Sequence, residues 1–302
     1  MQPLPIPVHC PACLGTDLQF SFYCKDHSIS KEVFNIWDCK TCSLRYTYPV
    51  PEEAGVGKYY NAENYISHSN TSKGVINKLY KAARGFTLSE KRRFVQRQTG
   101  LARGTLLDVG TGTGGFLSKM EKSGWQTTGI EPDYQAREKA YMLYKLPVFE
   151  PSHLFQLKED SFDAITLWHV LEHVYDLHGY FGQFSKLLKT SGLLFIAVPN
   201  YTSYDAQFYG EYWAAYDVPR HLYHFSPTSV KLLAQMHGFR IIKQKAMWLD
   251  PIYISMLSEQ YAHGRMRIIS GFIRGTVGVL ATVFNRDKCS SLIYVLKKEQ
   301  AK

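Results

Sequence analysis

Asp108-Val109-Gly110-Thr111-Gly112-Thr113-Gly114-Gly115-Phe116 is the stretch of sequence that decides the fold. It lies between a strand-like apolar run, residues 106–109, and a helical run, residues 116–120. Glycines permit a tight turn and a close approach of the backbone to a ligand, while the start of a helix presents free N–H groups. A strand, a glycine-rich turn and a helix in this order predict a nucleotide-binding unit.

Apolar runs alternate with helical stretches from Thr105 onward, which is typical of a parallel sheet covered by helices. The expected strands lie at residues 106–109, 127–130, 147–149, 164–167, 193–198, 239–242 and 291–296. We therefore predict an α/β fold, a Rossmann-like, seven-stranded, mostly parallel sheet with helices on both faces. A mostly helical insertion is expected at about residues 249–285, before the last strand.

Two classes of cofactor fit the glycine turn. Gly110, Gly112 and Gly115 satisfy the G-x-G-x-x-G dinucleotide pattern, and Glu131 lies where a ribose-binding acid is expected. Asp108 separates the two classes, because a carboxylate beside the turn would repel the pyrophosphate of a dinucleotide. S-adenosylmethionine has no phosphate and carries a sulfonium and an ammonium group. The sequence favours this sulfonium cofactor, with an NAD-dependent oxidoreductase as the alternative.

Several segments together resemble class I S-adenosylmethionine-dependent methyltransferases, and they occur in the order of that family. The turn resembles the D-x-G-x-G-x-G motif, and the other matching segments are residues 129–132, 162–165, 169–173 and 192–200. Within that family, the chain resembles the group of the deoxysugar C-methyltransferases and the ubiquinone-biosynthesis-type methyltransferases. The resemblance implies in-line methyl transfer to a small-molecule acceptor, such as a sugar, a quinone-like compound or another metabolite.

The resemblance also implies which residues bind the cofactor. The turn glycines would line its methionine and ribose part, Glu131 would bind the ribose hydroxyls, and Trp168 and His169 would face the methionine end. Glu150 would lie near the adenine, although the chain lacks the Asp that many relatives place after the third strand. The complete expected set is Asp108, Gly110, Thr111, Gly112, Gly114, Glu131, Pro132, Glu150, Trp168 and His169.

Two C-x-x-C pairs near the N-terminus predict a metal site. Cys10 and Cys13 form one pair, Cys39 and Cys42 form the other, and strand-like sequence separates them as in a four-cysteine zinc ribbon. Four thiolates close the coordination shell, so the Zn²⁺ should be structural. Similar modules in the deoxysugar C-methyltransferases help to cover the substrate site.

Three segments follow along the chain. We expect a small β-rich zinc-ribbon module at residues 1–50, a helical bridge or lid at 51–100, and the methyltransferase domain at 101–302.

Histidines are concentrated in residues 217–226, whose P-R-H-L-x-H-F pattern resembles the same subgroup of methyltransferases. A histidine can remove a proton from the acceptor at neutral pH. We predict His221 as the first candidate for this base, followed by His224, and we include His169 among the catalytic residues. The alternative is that the two loop histidines only stabilise the loop.

Other groups on the acceptor side complete the prediction. Arg220 is expected to anchor an anionic acceptor, and Tyr216 and Trp213 are expected to form an aromatic wall.

Residues 169–173 also fit the H-x-x-E-H pattern of inverted zinc peptidases. Their position after a buried strand of the methyltransferase frame disfavours that interpretation.

Charge and apolar content bear on the partners. The formal net charge is +9, but the basic residues are scattered, as in Lys91–Arg93, so nucleic acid is not favoured. An RNA-modifying methyltransferase or a nucleic-acid-binding module stays the second alternative. The start of the chain shows no secretory signal, which predicts a cytoplasmic protein. The apolar stretch 268–284 leaves open packing on the sheet, an oligomer face, or contact with a membrane surface or a lipid-like substrate.

Overall fold

The computed structural model describes residues 5–60 and 75–299 of the chain. Within these ranges the backbone forms eleven β-strands and eight α-helices, joined by turns and short 3-10 helices. The strands are β1 (Leu18–Lys25), β2 (Val33–Cys39), β3 (Arg45–Thr47), β4 (Thr105–Val109), β5 (Gln126–Ile130), β6 (Val148–Phe149), β7 (Phe162–Trp168), β8 (Leu188–Pro199), β9 (Tyr223–His224), β10 (Phe239–Ala246) and β11 (Ser291–Lys298). The helices are α1 (Val75–Thr99), α2 (Gly115–Glu121), α3 (Tyr134–Tyr144), α4 (Leu177–Leu187), α5 (Tyr204–Tyr209), α6 (Pro227–Met236), α7 (Asp250–His263) and α8 (Ile268–Phe284).

The larger sheet has seven strands in the order β10-β11-β8-β7-β4-β5-β6. Strand β4 pairs in parallel with both β5 and β7, and β5 pairs in parallel with β6. The central strands are nearly continuous apolar runs because helices cover a parallel sheet on both faces. Leu106, Ile165 and Phe195 are fully buried there. The sheet confirms the predicted Rossmann-like α/β class, and each expected strand is present.

A smaller sheet has four strands in the order β1-β2-β3-β9. Strands β1, β2 and β3 come from the N-terminal segment and pair antiparallel, which confirms the predicted β-rich module. The fourth strand comes from far along the chain, since Arg45 pairs with His224 and Tyr46 pairs with Tyr223. The N-terminal segment therefore extends its sheet with two residues of the predicted acceptor segment.

Local sequence determines where the helices around the site begin. The Asp133 side chain accepts a hydrogen bond from Gln135 N–H at the start of α3. At the start of α6, the Ser226 side chain accepts from Ser229 N–H, the Ser229 side chain bonds back to Ser226, and Pro227 occupies the first turn. These are the capping arrangements that satisfy the free N–H groups of a helix start. The acceptor segment thus ends at a well-defined helix cap.

The chain divides into two compact units. Of the described residues, one unit contains 5–60, 169–180 and 197–294, and the other contains 75–168, 181–196 and 295–299. The domain boundaries expected from the sequence stay predictions, and the expected bridge falls partly on residues 61–74, outside the described residues. The predicted helical insertion corresponds to α7 and α8.

Length and apolar content together decide whether a helix can cross a bilayer. None of the helices in the described ranges is both long enough and apolar enough to do so. The cytoplasmic location stays a prediction.

Candidate functional site

The glycine turn between β4 and α2 is open on one side. Gly112 has a φ of +55°, and a Cβ atom there would meet nothing within 4 Å. The N–H groups of Gly110 and Thr111 donate to the carbonyl of Ile130, over 2.7 and 3.1 Å. The backbone of the turn is therefore held against the end of β5, while the Gly112 side remains accessible to a ligand.

Glu131 follows β5, and its side chain is hydrogen-bonded to the glycine turn. One carboxylate oxygen accepts from Gly112 N–H at 2.7 Å, and the other accepts from Asp133 N–H at 3.0 Å. The Arg137 guanidinium donates to the carbonyls of Glu131 and Pro132 and stabilises the entry into α3. Because each carboxylate oxygen has two lone pairs, both can also accept from ligand hydroxyls. This geometry fits the predicted contact with a ribose.

Asp108 is buried in β4 directly before the turn, with 2% of its surface exposed. Its two oxygens accept hydrogen bonds from the hydroxyls of Thr166, at 2.6 Å, and Thr111, at 2.8 Å. Burial raises the pKa of this carboxyl to about 6, against the lowering effects of the hydroxyls and of Lys91. A cationic ligand beside Asp108 would stabilise the ionised form and be stabilised in return.

Trp168 ends β7 and packs edge-on against Phe116 of α2, with ring centroids 5.4 Å apart. The Lys91 ammonium lies 4.5 Å from the Trp168 ring centroid. The Trp168 indole N–H is buried and has no hydrogen-bond partner among the described residues. A buried donor of this kind is suited to a hydrogen bond with a polar group of a ligand. Lys91 was not predicted from the sequence because its proximity to Asp108 depends on the packing of α1.

Gly114 and Glu150 differ in their surroundings. A Cβ atom at Gly114 would come within 2.9 Å of Leu146, so this glycine permits close packing of the end of α3 on the turn.

Glu150 is exposed and accepts a hydrogen bond from the Ser152 hydroxyl at 2.7 Å. Beside it, Phe149 and His153 stack with centroids 4.1 Å apart. This aromatic pair was missed from the sequence, and it offers a flat surface next to the residue predicted to lie near the adenine.

His169 lies between two carboxylates. Its Nδ1 is 3.4 Å from Glu172 Oε1, and its Nε2 is 3.6 Å from Asp250 Oδ2. Burial disfavours the charged imidazolium, but the two carboxylates outweigh it and raise the pKa of His169 to about 9. The side chain is protonated at neutral pH, and this does not favour its predicted use as a base.

His221 and His173 face each other with ring centroids 4.7 Å apart. His221 Nδ1 is 2.8 Å from the Ala215 carbonyl, and His173 Nδ1 is 2.9 Å from the Arg220 carbonyl. Since a carbonyl can only accept, both Nδ1 atoms carry a proton, and in the neutral form of each ring Nε2 carries the lone pair. Burial lowers the pKa of His173 to about 4, so this ring is neutral. In its neutral form, His221 therefore presents Nε2 as an acceptor.

Glu172 is fully buried, with the His169 ring 3.4 Å from Oε1 and no contact of hydrogen-bond geometry to either carboxylate oxygen among the described residues. A carboxylate oxygen and ring nitrogens of His173 and His221 lie within 4.8 Å of one another. Burial raises the pKa of Glu172, but the protonated His169 beside it outweighs burial and holds this pKa below its usual value, so Glu172 is ionised at neutral pH. A buried anion of this kind stabilises positive charge on its neighbours. The cluster has no local sequence signature, because His221 reaches Glu172 and His173 only through the fold.

His224 is almost completely buried. The Thr47 hydroxyl donates to the His221 carbonyl at 3.0 Å, so its oxygen accepts from His224 Nε2–H at 3.3 Å. Burial, with the nearby His221 and Arg45, holds the pKa of His224 well below its usual value. This neutral, enclosed ring joins β9 to β3, which does not favour its predicted role as a base.

The Arg220 guanidinium is buried, and all three of its nitrogens donate hydrogen bonds. It donates to both carboxylate oxygens of Asp217, to both of Asp26, to the Ser28 hydroxyl and to the Tyr59 carbonyl. These bonds occupy its donors, so the geometry does not favour the predicted anchoring of an anionic acceptor.

Tyr216 and Trp213 pack edge-on against each other at 5.2 Å inside a buried cluster. The Tyr216 hydroxyl accepts from the Arg45 guanidinium at 2.5 Å, and the Trp213 indole N–H donates to Asp205 at 2.6 Å. Both side chains are nearly completely buried, so they belong to the core beneath the acceptor segment. Their predicted contact with substrate stays a prediction that this packing does not favour.

The four predicted metal ligands come together at the N-terminal module. The Sγ atoms of Cys10 and Cys42 are 3.6 Å apart, those of Cys13 and Cys39 are 3.5 Å apart, and all four lie within 4.8 Å of one another. With Zn–S bonds of about 2.3 Å, neighbouring sulfurs of a tetrahedral site lie about 3.8 Å apart. The observed spacing fits a zinc site with four cysteine ligands.

Comparisons with known proteins agree with this geometry. The family model described as a methyltransferase domain matches residues 82–244. The ubiquinone biosynthesis O-methyltransferase of Rhodopseudomonas palustris (strain HaA2) is 25% identical over 158 residues, which cover 49% of this chain and 62% of that protein. The protein of the same name from Xanthomonas oryzae pv. oryzae (strain PXO99A) is 29% identical over 141 residues, covering 44% and 59%. The chain spans about three fifths of the length of these curated relatives.

Solved structures share the fold. A Galdieria sulphuraria protein assigned as a sarcosine dimethylglycine methyltransferase has a TM-score of 0.51 at 14% identity, over 71% of this chain and 86% of its own. The cyclase SpnF has a TM-score of 0.50 at 16% identity, over 70% and 81%. Since a methyltransferase and a cyclase both have this fold, the fold does not specify the reaction partner.

Replacing Asp108 should stabilise the empty protein at neutral pH. The folded pKa of about 6 exceeds the ordinary 3.8, so ionisation opposes folding, and the penalty develops as pH rises from about 4 through about 6. Asp108→Asn should therefore raise the free energy of unfolding at pH 8 by up to about 3 kcal/mol, and by nothing near pH 4. Urea unfolding at both pH values measures this difference.

Asp163 provides the matched control with the opposite sign. The Lys189 ammonium, 2.9 Å away, and the N–H and hydroxyl of Thr105 hold the pKa of Asp163 below its usual value despite burial. Asp163→Asn should therefore destabilise the protein at pH 8, with a smaller effect as pH falls through the lowered pKa. An Asp108→Asn protein that is no more stable than wild type at pH 8 would contradict the assignment.

Proposed function

We propose that this chain, which belongs to the methyltransferase domain family, transfers the methyl group of S-adenosylmethionine to a hydroxyl of a small-molecule acceptor. Membership of the family confirms the sequence-based identification of the domain. The observation that carries the proposal is the pair of acids at the glycine turn, Asp108 buried before it and Glu131 bonded to Gly112. A cofactor with two cationic groups and ribose hydroxyls matches two carboxylates, whereas a pyrophosphate would be repelled. The oxidoreductase alternative is disfavoured for that reason.

The acceptor class rests on the relatives and on the base. The curated relatives are named O-methyltransferases of ubiquinone biosynthesis. Oxygen methylation needs an acceptor that loses its hydroxyl proton, and a neutral imidazole is suited to take it. We therefore place the methyl group on a phenol-like or enol-like hydroxyl of a small molecule. Nucleic acid stays a disfavoured alternative.

His221 is the residue we assign as the base. S-adenosylmethionine, when bound, supplies an electrophilic methyl group, and its C–S bond breaks with the electron pair going to sulfur. His221 Nε2 accepts the acceptor's hydroxyl proton, while the Nδ1–H bond to the Ala215 carbonyl holds the ring in place. The ionised Glu172 stabilises the resulting imidazolium, and neutral His173 adds no competing positive charge. The proton then leaves to water.

The four-cysteine module supports the orientation of this base. The Thr47 N–H and hydroxyl donate to the carbonyls of Leu222 and His221, at 2.9 and 3.0 Å. The carbonyl of Ser43, which follows the second cysteine pair, accepts from the hydroxyl of Ser226 at 2.9 Å. We propose that a structural Zn²⁺ held by the four cysteines stabilises these contacts and so positions His221.

Cofactor binding is the first test. Isothermal calorimetry with S-adenosylmethionine, S-adenosylhomocysteine and NADH should show binding of the two adenosyl ligands only. Glu131→Gln should weaken that binding about 10-fold or more, because a charged acceptor for the ribose hydroxyls is lost. Asp160→Asn, a change at an acid 71% exposed, is the matched control and should bind like wild type. Binding of NADH alone would overturn the proposal.

Loss of the base should lower turnover without affecting the cofactor. With a catechol-type acceptor that the wild type methylates, His221→Ala should lower kcat about 100-fold or more, because general base catalysis contributes that much. The remaining activity should rise steeply with pH as the acceptor ionises without help. S-adenosylmethionine affinity should stay unchanged. His263→Ala, at the partly exposed end of α7, is the control and should keep full activity.

Two results would contradict this role of His221. One is a His221→Ala protein with wild-type kcat and pH profile. The other is activity that disappears on dialysis against a chelator and returns with Mg²⁺, which would assign Glu172, His173 and His221 to a metal ion.

The metal prediction has its own measurement. The purified chain should contain one zinc per molecule by mass spectrometry, and Cys39→Ser should lose the metal and much of its resistance to urea. Its kcat should also fall, since His221 would lose its support. Cys289→Ser is the control, because its serine hydroxyl can donate to the Met247 carbonyl as the thiol does at 3.5 Å. Retention of zinc by the Cys39→Ser protein would refute the assignment.

A further inference from the structure

Helix α8 packs on α7 through its smallest residues. Gly271, Gly275 and Gly278 lie on one side of α8 and are buried. A Cβ atom at Gly275 would lie 2.4 Å from Ile252 Cα, and one at Gly271 would lie 2.6 Å from Met256 Cα. The two helix backbones are therefore as close as glycine allows, and no larger side chain fits between them.

The large apolar residues of α8 point away from α7. At about 100° per residue, six of them lie between about 90° and 210° from the centre of the glycine side. This apolar face consists of Ile269 (79% exposed), Phe272 (54%), Ile273 (56%), Leu280 (54%), Val283 (64%) and Phe284 (89%). A helix of a globular protein normally buries its large apolar side. Here the arrangement is inverted, and the described residues leave the apolar face in contact with water.

The charge of the surrounding segment is positive. Residues 264–288 contain one acidic residue, Asp287, and the basic residues Arg265, Arg267, Arg274, Arg286 and Lys288. Arg265 and Arg267 are exposed directly before α8, and Arg286 is exposed directly after it. Cations therefore flank both ends of the apolar face.

We propose that the apolar face of α8 lies in the surface of a membrane that contains anionic lipids. At such a surface, acyl chains accept apolar side chains while the phosphates of the headgroups attract the flanking cations. A second copy of the chain would cover the apolar face but bring like charges together at the helix ends. The charge pattern therefore favours the lipid surface. This contact goes beyond the proposed methyl transfer and does not depend on it.

Vesicle flotation of the full chain tests the proposal. The protein should float with vesicles of phosphatidylcholine containing about 30% phosphatidylglycerol, and much less with phosphatidylcholine alone. Raising the salt to about 0.5 M should weaken the binding, because the electrostatic part is screened. The variant Phe272→Ser with Phe284→Ser should lose binding about 10-fold or more. Both side chains are over half exposed, so its thermal unfolding should match wild type.

A matched variant separates this face from exposed apolar residues in general. Met142 and Leu143 of α3 are 69% and 55% exposed, and Met142→Ser with Leu143→Ser should float like wild type. Light scattering of the wild type and the α8 variant provides the second measurement. Absence of flotation, equal flotation with both vesicle types, or a wild-type dimer that the α8 variant splits would overturn the proposal. S-adenosylmethionine binding should be the same in all variants, so the two proposals can fail separately.

Discussion

The buried guanidinium of Arg220 is the interaction on which the acceptor side depends. Placing a charge away from water is costly, and the cost is offset only when partners surround it. Asp26 and Asp217 supply two carboxylates, and Tyr59 and Ser28 supply further acceptors. The Arg220 guanidinium and the N–H groups of Ser30 and Ile29, which donate to Asp26, hold the pKa of this carboxyl well below its usual range despite burial. The segment that carries the candidate base is thereby tied to residues almost two hundred positions earlier. Removing either side of this interaction would leave an unpaired buried charge.

A second set of contacts holds the same segment against the N-terminal module. Strand β9 completes the sheet of the N-terminal module, and the loop after the second cysteine pair contacts Ser226 and Tyr201. The segment that carries the candidate base is therefore held by two N-terminal features, a buried ion pair and a four-cysteine module. Through these contacts the four-cysteine module bears on the orientation of His221, which depends on the backbone around it.

The surroundings of the remaining histidines and acids determine their protonation states. Asp108 is destabilising when it is ionised in the empty protein, which is typical of a group retained for binding rather than for stability. His169 is held in its protonated form by two carboxylates, whereas burial keeps His173 and His224 neutral. Although these groups are chemically alike, their surroundings give them different protonation states at the same pH.

The sequence by itself determined the fold class and the position of the cofactor turn. Both depend on local patterns, namely apolar runs of strand length, helix caps such as Ser226, and glycines at one strand–helix junction. The spacing of the two cysteine pairs also predicted that the four thiols lie close together, since metal ligands occur at characteristic spacings. Only the tertiary structure decided which polar side chains are available for chemistry. Arg220 has the chemistry of an anion anchor, but its donors are occupied by Asp26 and Asp217. Glu172 faces His221 only because the fold brings together two segments almost fifty residues apart. Burial, tautomer and pKa are set by contacts across long chain separations, and no local pattern records them.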